Sequence, residues 1–242
     1  MAVYDNIAEL YQKIDYVANM PINVYTHLNL IGDVTDKSIL DLACGDGLYT
    51  RMFKQSAKYV VGVDISEKMI ELARQQEARE PLGIEYLVRD VLELGEIGHF
   101  DLVVAAYLLN YSQTKEQLLK MCQNIYVNLK TGGRFLTING NLDMPPEIYP
   151  KWQKYGFTKS ISGPLEEGTP ITLTFTAEGK QFSFDNYYLS KATYEWALQK
   201  AGFKEVYWHQ PQVSPEGIEK FGQEFWQDAL DYPFNWFIEC VK

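Results

Sequence analysis

The chain has 242 residues, of which 46% are hydrophobic and 14% aromatic, a length and composition typical of one large α/β domain with a sizeable core. Its formal net charge of −10 argues against nucleic acid and anionic membrane surfaces as partners, because both are bound through Lys and Arg. The 3 cysteines are too few for a disulfide framework or a zinc site, and no signal peptide or membrane-spanning run is visible, so we expect a cytoplasmic protein without a metal.

The first 35 residues predict one or two helices. Asp5 is a candidate helix cap, and an apolar stripe with helical spacing follows it until Pro21 interrupts the pattern. The stripe consists of Tyr4, Ile7, Ala8, Tyr11 and Ile14. Such a segment either packs on the sheet or also closes over a bound ligand as a lid, and the two roles are compatible.

The stretch from Ser38 to Asp64 predicts a strand, a glycine turn, a short helix and a second strand. Gly45 and Gly47 lack a Cβ, so the backbone there can turn tightly and approach a ligand closely. The free N–H groups at the start of the following helix point into the same space. Asp64 ends the second strand, and both strand ends of such a unit face one crevice, where a carboxylate suits the hydroxyls of a ribose.

Two ligand classes use this arrangement, and the residues around the turn distinguish them. A dinucleotide site requires the pattern G-x-G-x-x-G, but Thr50 occupies the third glycine position here. Asp41, four residues before Gly45, would repel a pyrophosphate and favour a cationic ligand. The pattern Asp41-x-x-x-Gly45-x-Gly47 resembles motif I of the class I S-adenosylmethionine-dependent methyltransferases, and a glycine turn of another α/β domain is the alternative.

This resemblance implies a Rossmann-like fold with a seven-stranded, mostly parallel sheet and helices on both faces. It also implies the cofactor S-adenosyl-L-methionine and the product S-adenosyl-L-homocysteine. Ile65 and Met69 would flank the adenine, Asp90 would accept its amino group, and the neighbouring Val91 would contact the ring. The open alternatives are a core position for Met69 and a turn role for Asp90. The cofactor-binding residues implied are Asp41, Ala43, Gly45, Gly47, Asp64, Ile65, Met69, Asp90, Val91 and Ala106.

The strand–helix–strand pattern of residues 100–139 resembles the fourth and fifth strands of this family. The resemblance implies cofactor and substrate contacts just after the fourth strand, at Ala106, Tyr107, Asn110 and Tyr111. DNA amino-methyltransferases carry an Asn/Asp-Pro-Pro-aromatic turn at this place, whereas the corresponding residues of this chain include no proline. That difference, together with the negative charge, weighs against a nucleic-acid substrate.

Residues 141–189 interrupt the α/β pattern and form an insertion. Its first part predicts a loop with a short helix, and PITLTFTAEGKQFSFDNYY alternates around Glu178-Gly179, which indicates a hairpin. A hairpin after the fifth strand lies above the carboxyl edge of the sheet, so we expect it to form a wall of the substrate pocket or a dimer contact. A helix capped by Ser190 and two strands, the last of them antiparallel by resemblance, complete a single domain over residues 1–242. Ser66 and Thr114 are candidate caps of two earlier helices.

Two segments of the chain resemble a narrower group within this methyltransferase family. Tyr4-Asp5-x-x-Ala8-x-x-Tyr11 resembles the N-terminal segment that closes over the cofactor in small-molecule methyltransferases, which makes residues 1–35 a helical lid. The opening YDNIAELY and the block FDNYYLSKATYEWALQKAGF resemble the toxoflavin-type azapteridine N-methyltransferases, without indicating the same substrate.

We therefore expect a methyltransferase that transfers a methyl group to N or O of a small, aromatic or heterocyclic metabolite by in-line displacement. No histidine is well placed as a general base, so no catalytic residue is assigned, and Tyr11, Asn110 and Tyr111 are positioning candidates. The alternatives are an NAD-dependent oxidoreductase and a non-catalytic S-adenosylmethionine-binding protein. The chain is expected to be a monomer or a homodimer. The candidate substrate-binding residues are Tyr11, Tyr16, His27, Tyr107, Asn110, Tyr111, Asn139, Tyr187 and Tyr188.

Overall fold

The computed structural model describes Asp5, Ala8, Lys13, Ile14 and residues 16–242. The strands in this part of the chain are β1 (Ser38–Leu42), β2 (Tyr59–Asp64), β3 (Glu85–Val88), β4 (Phe100–Ala106), β5 (Leu129–Gly140), β6 (Phe157–Ile161), β7 (Pro170–Ala177), β8 (Lys180–Tyr187), β9 (Glu205–His209) and β10 (Asn235–Val241). Its helices are α1 (Tyr25–Ile31), α2 (Leu48–Lys54), α3 (Glu67–Arg79), α4 (Lys115–Val127), α5 (Lys191–Ala201), α6 (Pro215–Phe221) and α7 (Gln227–Asp231). A π-helical turn, Asn19–Val24, leads into α1, and a 3₁₀ segment, Pro146–Tyr155, follows β5.

The central sheet has seven strands in the order β3-β2-β1-β4-β5-β10-β9. Strands β1 to β5 run parallel, and β10 is antiparallel to both β5 and β9. Leu40 and Leu42 pack on the side of α4 and α5, whereas Ile39 packs on the other side against Ile31 of α1 and Phe53 of α2. The predicted fold class, a mostly parallel seven-stranded sheet with helices on both faces, is confirmed.

Polar side chains cap three of the helices at the residues that the sequence indicates. Ser66, Thr114 and Ser190 each accept a hydrogen bond from the backbone N–H three residues later. Each bond satisfies one of the N–H groups that the first helical turn leaves free. Ser66 and Thr114 thereby fix the starts of the helices that follow β2 and β4 in the chain.

The insertion contains a second, antiparallel sheet in the order β6-β7-β8. The predicted hairpin is confirmed as β7 and β8, and the two residues between them, Glu178 and Gly179, both have positive φ, as a tight hairpin turn requires. Strand β6 was not predicted, because a pattern of only five residues does not distinguish a strand from a loop. Trp152 and Tyr155 of the insertion lie in an aromatic core that also includes Trp226, Phe234 and Phe237 from the C-terminal part of the chain.

The described part of the N-terminal segment packs against the insertion. Ile14 forms an isolated antiparallel bridge with Ala177 at the end of β7. Tyr4, Ile7 and Tyr11 of the predicted stripe lie outside the described residues, so the lid over residues 1–35 stays a prediction. None of the described helices is long and apolar enough to cross a membrane.

Candidate active site

The glycine turn after β1 adopts the conformation that its sequence predicts. The φ angle is 57° at Gly45 and 89° at Gly47, in the left-handed region where residues with a Cβ are strained. Gly47 is the N-cap of α2, and its N–H donates to the carbonyl of Cys44 over 3.0 Å. Ala43 also has a positive φ, 55°, which marks a strained backbone beside the turn. The turn therefore presents mostly backbone at the end of β1.

Asp64 lies opposite the turn at the end of β2. Its Oδ2 accepts a hydrogen bond from the N–H of Gly45 over 2.9 Å, and its Oδ1 accepts one from the N–H of Ser66 over 2.8 Å. Burial raises the pKa of Asp64, while these backbone hydrogen bonds lower it. Because each carboxylate oxygen has two lone pairs, Asp64 can hold the turn and still accept a ligand hydroxyl.

Asp41 and Thr50 form a buried pair beside the turn. Thr50 Oγ1 donates to Asp41 Oδ2 over 2.6 Å, so the residue that replaces the third glycine supports the carboxyl group. Burial raises the pKa of Asp41 to about 7, and the nearby Asp64 carboxylate adds to the effect. A cationic ligand beside this pair would favour the ionised carboxylate.

Apolar side chains are exposed near the ends of β1 and β2, where the adenine is predicted. Leu48 is 43% exposed and Ile65 is 53% exposed, which suits the face of a flat ring. Met69 and Val91, in contrast, are only 2% and 4% exposed. The protein encloses both side chains, and their contact with the adenine ring stays a prediction.

Asp90 and Ala106 follow the two neighbouring strands. Asp90 Oδ1 accepts a hydrogen bond from the N–H of Leu92 over 2.8 Å and begins the 3₁₀ turn Val91–Glu93. This is the turn role that the sequence left open, although the carboxylate keeps lone pairs for an adenine amino group. Ala106 is half-buried at the last position of β4, immediately before Tyr107. The cofactor roles of Asp90 and Ala106 stay predictions.

A cavity of about 250 Å³ extends from the glycine turn to the insertion. Asp46 and Leu48 line it beside the turn, and Gly140 lines it at the end of β5. The opposite wall is one face of the second sheet, because alternate residues of a strand point to the same side. That wall consists of Phe157, Lys159, Leu173, Phe175, Phe184 and Asn186.

Three predicted substrate residues, Tyr16, Tyr107 and Tyr111, line this cavity. Tyr107 directly follows β4 and has a positive φ of 61°, so its backbone is strained at the cavity. Its hydroxyl accepts a hydrogen bond from Asn235 Nδ2 over 3.0 Å. Tyr16 hydrogen-bonds to the same group of side chains, and burial raises the pKa of Tyr16 to about 12. Tyr11 lies outside the described residues.

His27 and Asn139 are not among the described residues that line the cavity, and their substrate contacts stay predictions. His27 is 1% exposed, its ring packs edge-on against Tyr49, and burial lowers the pKa of His27 to about 3, so the ring is neutral. The side chain of Asn139 is used within the sheet. It accepts a hydrogen bond from the N–H of Leu109 and donates one to Thr137 Oγ1.

Tyr187 and Tyr188 also lie outside the cavity wall. Asn186 takes the inward position instead of Tyr187, because adjacent residues of a strand point to opposite faces, and Tyr188 lies beyond the end of β8. The hydroxyl of Tyr188 donates to Asp143 Oδ1 over 2.9 Å. The sequence thus indicated the hairpin, but a shift of one residue changes which side chains face the cavity.

Asn110 is a buried amide whose hydrogen bonds are not satisfied within the described part of the chain. It is 1% exposed, and neither its Oδ1 nor its Nδ2 has a partner there. It lies in the 3₁₀ turn Leu109–Tyr111, next to a residue of the cavity wall. An unpaired buried polar group costs about 1–3 kcal/mol, so a ligand or an ordered water is needed to satisfy the amide. Asn110 remains a positioning candidate on this ground.

The sequence analysis did not select several residues that line the cavity. Asp46 and Leu48 flank Gly47 inside the glycine motif, so their position in the motif was a usable signal. Lys159 and Asn235 had no such signal, because only the pairing of distant strands brings them to the cavity.

The crevice has groups that fit an adenosine-containing cofactor. Asp64 offers a carboxylate to ribose hydroxyls, Ile65 offers an exposed apolar face to adenine, and the glycine turn leaves backbone free of side chains. The unsatisfied amide of Asn110 adds a donor and an acceptor nearby. The donor set therefore agrees with the ligand that motif I implies.

Comparison with known proteins identifies the same domain. A family model described as a methyltransferase domain matches residues 39–133. The ubiquinone biosynthesis O-methyltransferase of Coxiella burnetii is 32% identical over 108 residues, which cover 43% of this chain and 45% of that protein. The demethylmenaquinone methyltransferase of Lactococcus lactis is 36% identical over 115 residues, which cover 45% and 44%. The chain thus spans less than half the length of these two curated relatives.

A solved structure extends the similarity to the rest of the fold. An S-adenosylmethionine-dependent methyltransferase from Mesorhizobium loti superposes with a TM-score of 0.62 at 22% identity, covering 88% of this chain and 94% of that one. Residues 39–133 thus match the methyltransferase domain family, and the described part of the chain has the Rossmann-like fold of the S-adenosylmethionine-dependent methyltransferases.

Proposed function

We propose that this chain transfers the methyl group of S-adenosylmethionine to N or O of a small aromatic or heterocyclic acceptor. The observation that carries the proposal is the cavity between the glycine turn and the insertion. Asp46 and Leu48 of the cofactor motif line one end, and aromatic residues of the second sheet line the other. A group bound on the turn and an acceptor in the cavity would therefore be neighbours.

The residues around the turn would hold the cofactor, whose sulfonium group supplies an activated methyl. Asp64 would accept hydrogen bonds from the ribose hydroxyls, and Ile65 would pack against the adenine. Asp41, when ionised, would attract the positive charge of the ligand. Gly45 and Gly47 would allow the backbone to approach it.

The cavity would hold the acceptor and align it for in-line displacement. Phe157, Phe175 and Phe184 provide apolar surface for a flat ring, and the volume of about 250 Å³ restricts the acceptor to a small molecule. Tyr16 and Tyr107, linked by hydrogen bonds to Asn235, provide rigid polar groups at the same cavity. Alignment of this kind can supply much of the rate enhancement of a bimolecular step.

The relatives support the reaction class more than the acceptor. Their names assign O-methylation in ubiquinone biosynthesis to one and methylation of demethylmenaquinone to the other. The family match ends at residue 133, before the insertion that forms half of the cavity wall. We therefore argue the acceptor from the cavity and leave the choice between N and O to experiment.

Calorimetry and a turnover assay test the proposal directly. We expect S-adenosylhomocysteine to bind with micromolar affinity, and we expect no binding of NADH, because Asp41 and Thr50 replace features of a dinucleotide site. Incubation with S-adenosylmethionine and a panel of small phenols and aromatic amines should release S-adenosylhomocysteine with at least one of them. Binding of NADH instead would indicate an oxidoreductase, and cofactor binding without turnover on any acceptor would contradict the enzymatic proposal.

Cofactor affinity is expected to increase as the pH rises from 6 to 8. Burial raises the pKa of Asp41 to about 7, so the carboxyl group is mostly neutral at pH 6 and mostly ionised at pH 8. If only the ionised form attracts the sulfonium charge of the ligand, the Kd for S-adenosylmethionine should fall by up to about tenfold over this range. Titrations at pH 6, 7 and 8 measure the effect, and Asp41→Asn should remove it. Equal pH dependence in the two proteins would show that Asp41 is not the responsible group.

A further inference from the structure

Lys159 is a buried lysine on the insertion side of the cavity. It lies in β6, is 7% exposed and lines the cavity together with Phe157 of the same strand. Leu173, its partner in β7, lines the cavity as well. A lysine is therefore part of a wall that is otherwise mostly apolar and aromatic.

The contacts of Lys159 with the described residues include no acidic partner for its charge. Its Nζ donates to the carbonyl of Asn141 over 2.9 Å and lies 3.5 Å from the carbonyl of Phe234. It also lies 4.5 Å from the ring centroid of Trp152. Within the described part of the chain no carboxylate is in ion-pair contact with it.

None of the salt bridges between described residues joins Lys159 to another titratable group of the cavity lining. Asp46 lies at the turn end, and the remaining ones are Tyr16, Tyr107 and Tyr111. On the 3₁₀ segment that packs under β6, Lys154 pairs with Asp228 at the surface. Burial is accordingly the cause that lowers the pKa of Lys159 to about 7.

We propose that Lys159 binds an oxyanion of the methyl acceptor, a carboxylate or a phenolate, and that the acceptor is therefore an acidic aromatic molecule. An ammonium group has three N–H donors, and two backbone carbonyls leave at least one of them for a ligand. A buried unpaired cation is costly, whereas a charge-assisted hydrogen bond to an oxyanion offsets that cost. The aromatic side chains of the same wall would hold the ring. This inference rests on the proposed function, since it names the class of acceptor.

Binding of an oxyanion to Lys159 would change the number of protons that the protein binds, which can be measured. At pH 8 the free lysine is mostly neutral, and at pH 6 it is mostly protonated. An oxyanion stabilises the protonated form, so binding should take up a larger fraction of a proton at pH 8 than at pH 6. A lysine with only a structural role would produce no such uptake.

Benzoate and its neutral isostere benzamide are the probes that we choose for this experiment. Calorimetric titration of the full chain, with saturating S-adenosylhomocysteine and in two buffers of different ionisation enthalpy, gives both affinity and proton uptake. We expect benzoate to bind at least about tenfold more tightly than benzamide and to show the proton uptake above. Equal binding of the two probes, no binding of benzoate, or no uptake at pH 8 would overturn the proposal.

Three variants test whether Lys159 is the cause of the preference for benzoate and of the proton uptake. Lys159→Met should lose the preference for benzoate and the proton uptake while retaining binding of S-adenosylhomocysteine. Lys159→Arg should retain the preference but not the uptake, because arginine stays protonated. Lys180→Met, which removes an exposed lysine of the same sheet, should behave like the wild type. Persistent uptake in Lys159→Met would refute the assignment.

The proposed cofactor binding and the proposed oxyanion binding by Lys159 can be contradicted independently of each other. If S-adenosylhomocysteine does not bind to the wild type, the proposed function is contradicted. The benzoate titration is then carried out without it, and the same comparison of benzoate, benzamide and Lys159→Met still decides whether this lysine binds an oxyanion.

Discussion

Replacing Asp64 with alanine is expected to abolish detectable binding of S-adenosylhomocysteine and, with it, methyl transfer. The carboxylate joins the turn to β2 through the N–H groups of Gly45 and Ser66 and would also bind the ribose. Hydrogen bonds to a charged group contribute about 1.5–3 kcal/mol each, so the loss of two should weaken binding at least about 100-fold. Calorimetry at pH 8 measures this change.

Two further variants distinguish a lost ligand contact from a damaged fold. Asp64→Asn keeps one acceptor oxygen and should bind more tightly than the alanine variant. Asp185→Ala removes an exposed carboxylate of β8 and should bind the cofactor like the wild type. All proteins are compared by thermal unfolding. Unchanged affinity in a folded Asp64→Ala protein would refute the cofactor assignment at this strand end.

Replacing Gly47 with alanine is expected to destabilise the protein by about 2–4 kcal/mol and to disrupt the cofactor turn. Two physical causes combine at this position. Its φ of 89° is strained for any residue with a Cβ, and a Cβ built there collides with the hydroxyl group of Tyr86. The ring of Tyr86 also packs closely over Gly62, where a built Cβ would collide with it, which limits how far the ring can shift. Urea unfolding of the variant measures the loss of stability.

The two causes at Gly47 can be separated with matched variants. Gly45→Ala introduces a similar backbone strain, with φ of 57°, but a new Cβ there meets no atom within 4 Å, so it should cost only about 1–2 kcal/mol. Tyr86→Phe should be nearly neutral, because its buried hydroxyl has no hydrogen-bond partner among the described residues. Combined with Gly47→Ala, it should restore part of the stability. Equal losses for both glycine variants would rule out the collision.

Lys159 shows why the acceptor site was less predictable than the cofactor site. The segment that contains β6 is rich in aromatic and charged residues, and its five-residue alternation is too short to indicate a strand. Only pairing with β7 turns Lys159 toward the same side as Leu173. The low pKa of Lys159 likewise depends on burial, which no local pattern reveals.

The sequence by itself determined the order of the strands and helices apart from β6, the caps at Ser66 and Thr114, and the glycine motif from Asp41 to Asp64. These features depend on neighbouring residues, since strand, turn, helix and strand follow one another directly and a cap bonds to its own helix. Tertiary structure alone decided which side chains meet in the cavity, because the cavity wall is formed by segments that are distant in the sequence. In addition, an offset of one residue along a strand moves a side chain to the opposite face of the sheet. The tertiary structure therefore puts Asn186 rather than Tyr187 on the cavity wall and buries His27. It also places Lys159 on the side of the cavity opposite the glycine turn.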